Sequence, residues 1–250
     1  MARYGDLYVN DVTGEWAVVL RGDGDAPDEP MLVHLRVRPG GAVSGEHLHP
    51  AMQERFLVMR GSLATRVDGA ERTLAAGEEV TVPAGVWHDW FNDSSDPVDV
   101  LIELTPSSPR FQMAIATGFG LANAGRTNDK GVPSLLQSAL LGAEFSDVLV
   151  RRRPPAFVQA VAFGFLGLIA RRRGLKAIYP EYLGPHGSVE PDPEALAAAG
   201  LSPSTARRWG GPPSRGCATH RASQERFVAH PPVNGTRART VVPTPAGLST

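Results

Sequence analysis

Residues 41–61 read GAVSGEHLHPAMQERFLVMRG. His47 and His49 stand two apart, and Glu54 follows five residues after the second histidine. On a β-strand, residues i and i+2 share a face, so the two imidazoles project into one space. Glu54 has odd spacing from His49 and would face away on one unbroken strand. Pro50 cannot donate to a strand ladder. A turn or bulge through Pro50–Ala51–Met52 is therefore expected, letting Glu54 start a neighbouring strand and point back toward the histidines. Two imidazoles and a carboxylate that converge make a set of metal ligands. Alone, the HxH pair reads more simply as two surface or pocket histidines. Residues 77–92, GEEVTVPAGVWHDWFN, change that balance. Gly77 opens a strand, Pro83 and Gly85 close it, and His88 begins the next run with the parity of Trp90 and Asn92. His88 is the natural fourth ligand.

Elements that could position these side chains are legible around them. Short apolar runs WAVVL (16–20), MLVHLRVRP (31–39), RFLVMRG (55–61), LATRVDG (63–69), EVTVP (79–83) and DVLIELT (99–105) are separated by turn residues. The turns include Gly22–Asp23–Gly24, Pro39–Gly40–Gly41 and Asn92–Asp93–Ser94–Ser95, and Asp68–Gly69 reads as a tight hairpin. Strands this short and this regularly spaced indicate an antiparallel sandwich or barrel. Helical periodicity replaces them in residues 111–125, 134–152 and 154–173. In the last, Pro154 and Pro155 suit a helix start and Gly174 its stop. Phe157, Val161, Phe165 and Leu168 form one stripe, widened by Val158, Ala162 and Ile169, which predicts a helix buried against the barrel or at a subunit interface. Arginine triplets at 151–153 and 171–173 bracket this apolar stretch, which is too short for a membrane span. From about residue 184 periodicity ends. DPEALAAAG predicts one short helix, and the remainder reads as a disordered tail. The expected organisation is a barrel over 1–106, a helical extension over 107–183 and a low-complexity tail over 184–250.

The composition excludes several function classes. Formal net charge is −1 over 250 residues, which gives no electrostatic case for nucleic acid or an anionic membrane. The single cysteine, Cys217, forbids an intrachain disulfide and fits a reducing cytoplasm. The first sixteen residues carry no apolar stretch after a basic start, so no secretory signal is expected there. Lysine occurs only at 130 and 176 among abundant Arg, Ala, Gly and Pro, a bias associated with bacterial genomes of high GC content.

The two histidine stretches resemble the paired motifs of the cupin superfamily. Gly41, His47, His49, Glu54 and Gly61 match the first motif, G-x5-HxH-x4-E-x6-G. Gly77, Pro83, Gly85, His88 and Asn92 match the second, G-x5-PxG-x2-H-x3-N, after fifteen intervening residues. The resemblance covers residues 30–106 and implies a double-stranded β-helix, or jelly-roll barrel, in a mainly β protein. It also implies that His47, His49, Glu54 and His88 hold one divalent transition metal per chain (Fe, Mn, Ni or Zn), and that the chain forms a homodimer. Three imidazoles and one carboxylate leave two octahedral positions open.

Residues sharing parity with the ligands are expected to line a substrate pocket: Phe56, Val58, Val82 and Trp90, with Val43, Gly45 and Val80 beside them. Such an apolar and aromatic lining suits a small hydrophobic organic ligand, although any small barrel fills its interior this way. Glu46 and Asp89 fall on the opposite face. Glu54 is the one candidate proton shuttle. Two functional classes follow. One is a metal-dependent enzyme, with dioxygenase-like oxidation or cleavage of an aromatic or enolic molecule ahead of isomerase, cyclase or decarboxylase chemistry. The other is a non-catalytic binding or sensing module.

Overall fold

The computed structural model describes residues 1–202, except Gly24 and Pro27. The chain starts with β1 (Asp6–Asn10), β2 (Glu15–Arg21) and β3 (Met31–Val37), continues through the short β4 (His47–Leu48), then β5 (Gln53–Arg60), β6 (Ser62–Val67), β7 (Ala70–Ala75), β8 (Glu79–Val82), β9 (His88–Phe91) and β10 (Val98–Thr105). Next come α1 (Pro109–Asn123), α2 (Leu135–Glu144), β11 (Val150–Arg151), α3 (Ala156–Arg172), β12 (Gly187–Ser188) and α4 (Pro193–Ala198).

The strands form two sheets, ordered β12-β1-β2-β3-β10-β5-β8 and β11-β4-β9-β6-β7. Every strand pairing between them is antiparallel. Sequence order is scrambled across both sheets, the topology of a jelly roll rather than a simple meander. Inward residues alternate along the strands. Glu54, Phe56 and Val58 of β5 are buried on one side, as are His88 and Trp90 of β9. The β6–β7 hairpin turns at Asp68 (φ 49°) and Gly69 (φ 81°), the left-handed pair that a two-residue Asp-Gly hairpin requires.

Pro50 breaks the chain as expected. β4 ends at Leu48, β5 begins at Gln53, and the Gly85 amide donates to the His49 carbonyl across the gap. Asn92, the last residue of the second motif, is 1% exposed. Its Nδ2 donates to the carbonyls of Val37 (3.1 Å) and Asp96 (2.8 Å), and its Oδ1 accepts from the Ser94 amide. It ties the end of β3 to the β9–β10 connection.

The helical part departs from expectation in two places. The run 134–152 is not one helix: α2 stops at Glu144, and Val150–Arg151 is a strand paired with His47–Leu48. Two β-branched residues at 148 and 150 favour extended backbone, and an unpaired edge at β4 supplies the partner. The stripe on α3 is not covered by the barrel: Val161, Phe165 and Leu168 are 80%, 68% and 49% exposed. The Phe157 side chain lies outside the described residues. α3 packs on α2 by another face, where Gly142 leaves room for the Phe163 ring; a methyl group there would lie 2.4 Å from a ring carbon.

Structure continues past residue 184, where the low-complexity tail was expected to start, and α4 is the short helix that DPEALAAAG predicts. β12 extends the first sheet through Gly187–Ser188, and α4 buries Ala195 and Leu196 against Leu20, Leu32 and Leu101. Arg60 of β5 pairs with Asp192 and Glu194, fixing that helix to the barrel. Residues 203–250, with Cys217, lie outside the described residues. No helix among the described residues is long and apolar enough to cross a membrane.

Asn92→Ala removes two donors and one acceptor from a buried junction. We expect a loss of about 2 kcal/mol, seen as a lower urea midpoint with an unchanged slope.

Candidate metal centre

Four buried side chains meet where the two sheets face each other. His47 and His88 stand directly opposite in the β4–β9 pair, and Glu54 comes from β5 of the other sheet. His49 follows β4 in the Pro50 break. One potential ligand atom from each of His47, His49, Glu54 and His88 lies within 4.8 Å of the other three. The Glu54 Oε2 atom is 3.2 Å from His49 Nε2 and 3.0 Å from His88 Nε2.

The backbone sets the protonation of the rings. Nδ1–H of His47 donates to the Gly45 carbonyl (3.1 Å), that of His49 to Val148 (2.8 Å) and that of His88 to Val86 (3.0 Å). A carbonyl can only accept, so each Nδ1 carries a proton and each neutral ring presents its Nε2 lone pair. Lone pairs of two rings then face an ionised carboxylate oxygen at hydrogen-bonding distance, with a third ring beside them. Such a cluster is repulsive unless a cation lies among the donors. The donor set fits a divalent transition metal.

The electrostatics show the same need for positive charge. Burial pushes His47 down to about 3, with the His88 and His49 rings adding to the fall. Burial alone would raise Glu54, but hydrogen bonds with His49 and His88 outweigh it and hold the carboxyl far below its usual range. Burial opposes charge on His88 too, yet Glu54 lifts its pKa above the ordinary imidazole value. In the metal-free protein a proton on His88 is thus the stand-in cation.

Two cavities adjoin this cluster. One, of about 130 Å³, lies inside the barrel and is walled by His47, Glu54, Trp90, Phe111 and apolar residues of β2 and β3. The other, of about 160 Å³, runs outward beneath α1, α2 and α3. They share Glu15, Val43, His47, Ile115, Phe119 and Leu149 as wall. Of the expected pocket residues, Trp90, Val43 and Gly45 line these cavities. Phe56, Val58 and Val82 do not: they are at most 2% exposed and pack within the core beside the cluster. Glu46 and Asp89 point away, toward Arg152 and Arg66.

Sequence reasoning missed Glu15 and Arg151. Glu15 has the same inward parity on β2 as Ala17 and Val19, and a charged residue on an apolar face was the available signal. It is buried and accepts from the Thr13 hydroxyl. Burial pushes its pKa up to about 7, against the pull of that hydroxyl. Arg151 was hidden in a run of three arginines and in a segment with helical periodicity.

Two outcomes follow. His88 holds its proton to a raised pH in the metal-free protein, so its charged form contributes stability at acidic pH that fades as pH rises through that value. Metal binding needs the neutral ring, so metal uptake near neutrality releases a proton and tightens as pH rises; calorimetry in buffers of different ionisation heat reads this directly. Glu15 favours the fold when protonated, so its contribution is complete below the ordinary carboxylate value of 4.5 and is lost as pH rises through about 7. Denaturation of the parent beside Glu15→Gln across that window should show the parent losing stability relative to the variant.

Comparisons with known proteins agree with this architecture. The family model described as "Cupin domain" matches residues 33–102. A stretch of 81 residues is 36% identical to gentisate 1,2 dioxygenase 1 of Aquipseudomonas alcaligenes, covering 32% of this chain and 23% of that protein. A stretch of 80 residues is 34% identical to the tetracenomycin polyketide synthase protein TcmJ of Streptomyces glaucescens, covering 32% and 53%. The match thus spans about a quarter of one curated relative and about half of the other. A solved RmlC-like cupin from Shewanella frigidimarina aligns at 20% identity and a TM-score of 0.37, over 43% of this chain and 88% of that one. Residues 33–102 of this chain, which carry all four clustered side chains, are a cupin domain.

Proposed function

We propose that this protein is a metal-dependent enzyme acting on a small aromatic or enolic molecule, by dioxygenase-like oxidation or cleavage. The observation that carries the reading is the set of three clustered imidazoles, each with Nδ1–H given to a backbone carbonyl, two of them with Nε2 against Glu54. His47, His49, Glu54 and His88 would hold one divalent metal per chain. When bound, that metal supplies Lewis acidity and, for iron, manganese or nickel, redox chemistry with dioxygen. The likeness to a gentisate dioxygenase over the cupin stretch favours oxidation over isomerisation, cyclisation or decarboxylation.

The chain's own residues do the rest. Trp90, Phe111, Ile115, Phe119 and Leu149 wall the cavities with apolar surface, which orients a flat ligand and keeps water away. Glu15, on the wall common to both cavities, titrates near neutrality and is the residue able to take or give a proton to a bound molecule. Gly45, Val86 and Val148 carbonyls keep the three rings in one tautomer throughout.

Metal analysis of the full chain purified without chelator, beside His49→Ala, tests the reading. The parent should carry about one Fe, Mn or Ni per chain, and the variant should lose it. Oxygen consumption with phenolic and enolic substrates should fall at least about a hundredfold in the variant. Zinc as the native metal would replace oxidation with isomerase or lyase chemistry. A parent that holds no metal and refuses added metal would overturn the enzyme reading in favour of a binding module.

A further inference from the structure

Arg151 occupies an unusual position. It is the cross-strand partner of His47 in the β11–β4 pair, and residues directly opposite in an antiparallel pair project from the same face. The guanidinium therefore lies on the side of the strand from which His47 enters the metal centre. It forms part of the wall of the larger cavity, with Ser44, Gly45 and Gln159 nearby. Its recorded hydrogen bond runs from Nη1 to the Ser44 carbonyl, a neutral acceptor.

Two other arginines of the segment after the barrel are compensated differently. Arg152 pairs with Glu46, and Arg110 pairs with Asp147. Among the described residues no carboxylate pairs with Arg151. Burial lowers its pKa, and no acidic neighbour offsets that burial. A cationic guanidinium set into a cavity wall without an anion is costly unless a ligand supplies one. Its planar fork matches the two oxygens of a carboxylate. Apolar surface makes up most of the remaining wall, from Ala114, Ile115, Phe119, Leu141 and Phe145.

We propose that Arg151 anchors the carboxylate of an aromatic or enolic acid, whose apolar body fills the cavity leading to the metal centre. The proposal rests on the reading of this cavity as the substrate site and narrows its substrate class to acids. It also gives a purpose to β11, which carries the arginine to the cavity wall by pairing with the strand of a metal ligand. Arg151 is a specificity-determining residue on this account, outside the chemistry itself.

Equilibrium binding of benzoate and of neutral benzamide to the full chain, followed by calorimetry, provides the test. The parent should bind benzoate at least about tenfold more tightly than benzamide. Arg151→Gln should weaken benzoate roughly ten- to a hundredfold, the size of a charged hydrogen-bonded contact. Benzamide should be unaffected by that change. Arg151→Lys keeps the charge without the fork and should fall between, which guards against a simple folding defect. Equal affinity for both probes, no saturable benzoate binding, or a benzoate affinity indifferent to Arg151→Gln would each overturn the proposal. His49→Ala separates the two readings. An Arg151-dependent preference for benzoate that survives in a metal-free His49→Ala protein supports the anchor even where the metal reading fails. A parent that loads metal but shows no Arg151 dependence sinks the anchor alone.

Discussion

Three imidazole Nδ1–H groups, each donated to a backbone carbonyl, are the constraint on which the rest of the site depends. They fix the tautomers, turn three Nε2 lone pairs inward, and bring two of them against an ionised carboxylate. Without a cation that arrangement repels itself. A jelly roll can hold it because Glu54 comes from one sheet and His47 and His88 from the other, so sheet packing clamps the donors before any metal arrives. Two of the carbonyls, of Gly45 and Val86, lie two residues before the histidines they hold. The third, of Val148, is 99 residues distant from His49 in sequence.

That distant contact joins the helical segment to the four-residue cluster. The stretch after α2 passes beside β4, gives the Val148 carbonyl to His49, and then pairs Val150 and Arg151 with Leu48 and His47. Phe111 of α1 stacks edge-on against the His49 ring, with centroids 5.1 Å apart. The helices therefore act as part of the site's wall and part of its hydrogen-bonding support. Substitutions on this segment reach the four-residue cluster through packing and hydrogen bonds, although none of its residues belongs to it.

Beside His47 and Glu54 of the cluster, the cavity walls carry two ionisable groups of opposite character. Glu15 is a buried acid whose neutral form is favoured, and Arg151 is a cation with no acidic partner among the described residues. Glu15 sits on the wall shared with the barrel interior, and Arg151 only on that of the outer cavity. A molecule spanning both would thus meet a proton donor or acceptor toward its centre and an anion-binding group at one end. That asymmetry is what fixes orientation in a pocket otherwise built of nonspecific surface.

The sequence by itself determined the strands β2, β3, β5, β6, β8 and β10, the Pro50 break and the candidate metal ligands. Their signals are local: period-two alternation, a proline that cannot pair, an Asp-Gly turn, and histidines at same-face spacing. The turn that Asn92 opens was legible for the same reason. Long-range pairing decided the rest. Residues 145–151 kept helical spacing, but the helix stopped at Glu144 and Val150–Arg151 became a strand because β4 offered an open edge. Phe56, Val58 and Val82 had the expected inward parity, yet the depth of the barrel made them core rather than cavity wall. The short helix at 193–198 was legible in DPEALAAAG, but residues 187–188 gave no signal and were ordered by a free edge on β1, while Arg60 holds the helix from 132 positions away. Parity assigns a side chain to a face. Only the tertiary structure decides what stands on the other side of it, because burial and pairing belong to the assembled sheets and not to any one segment.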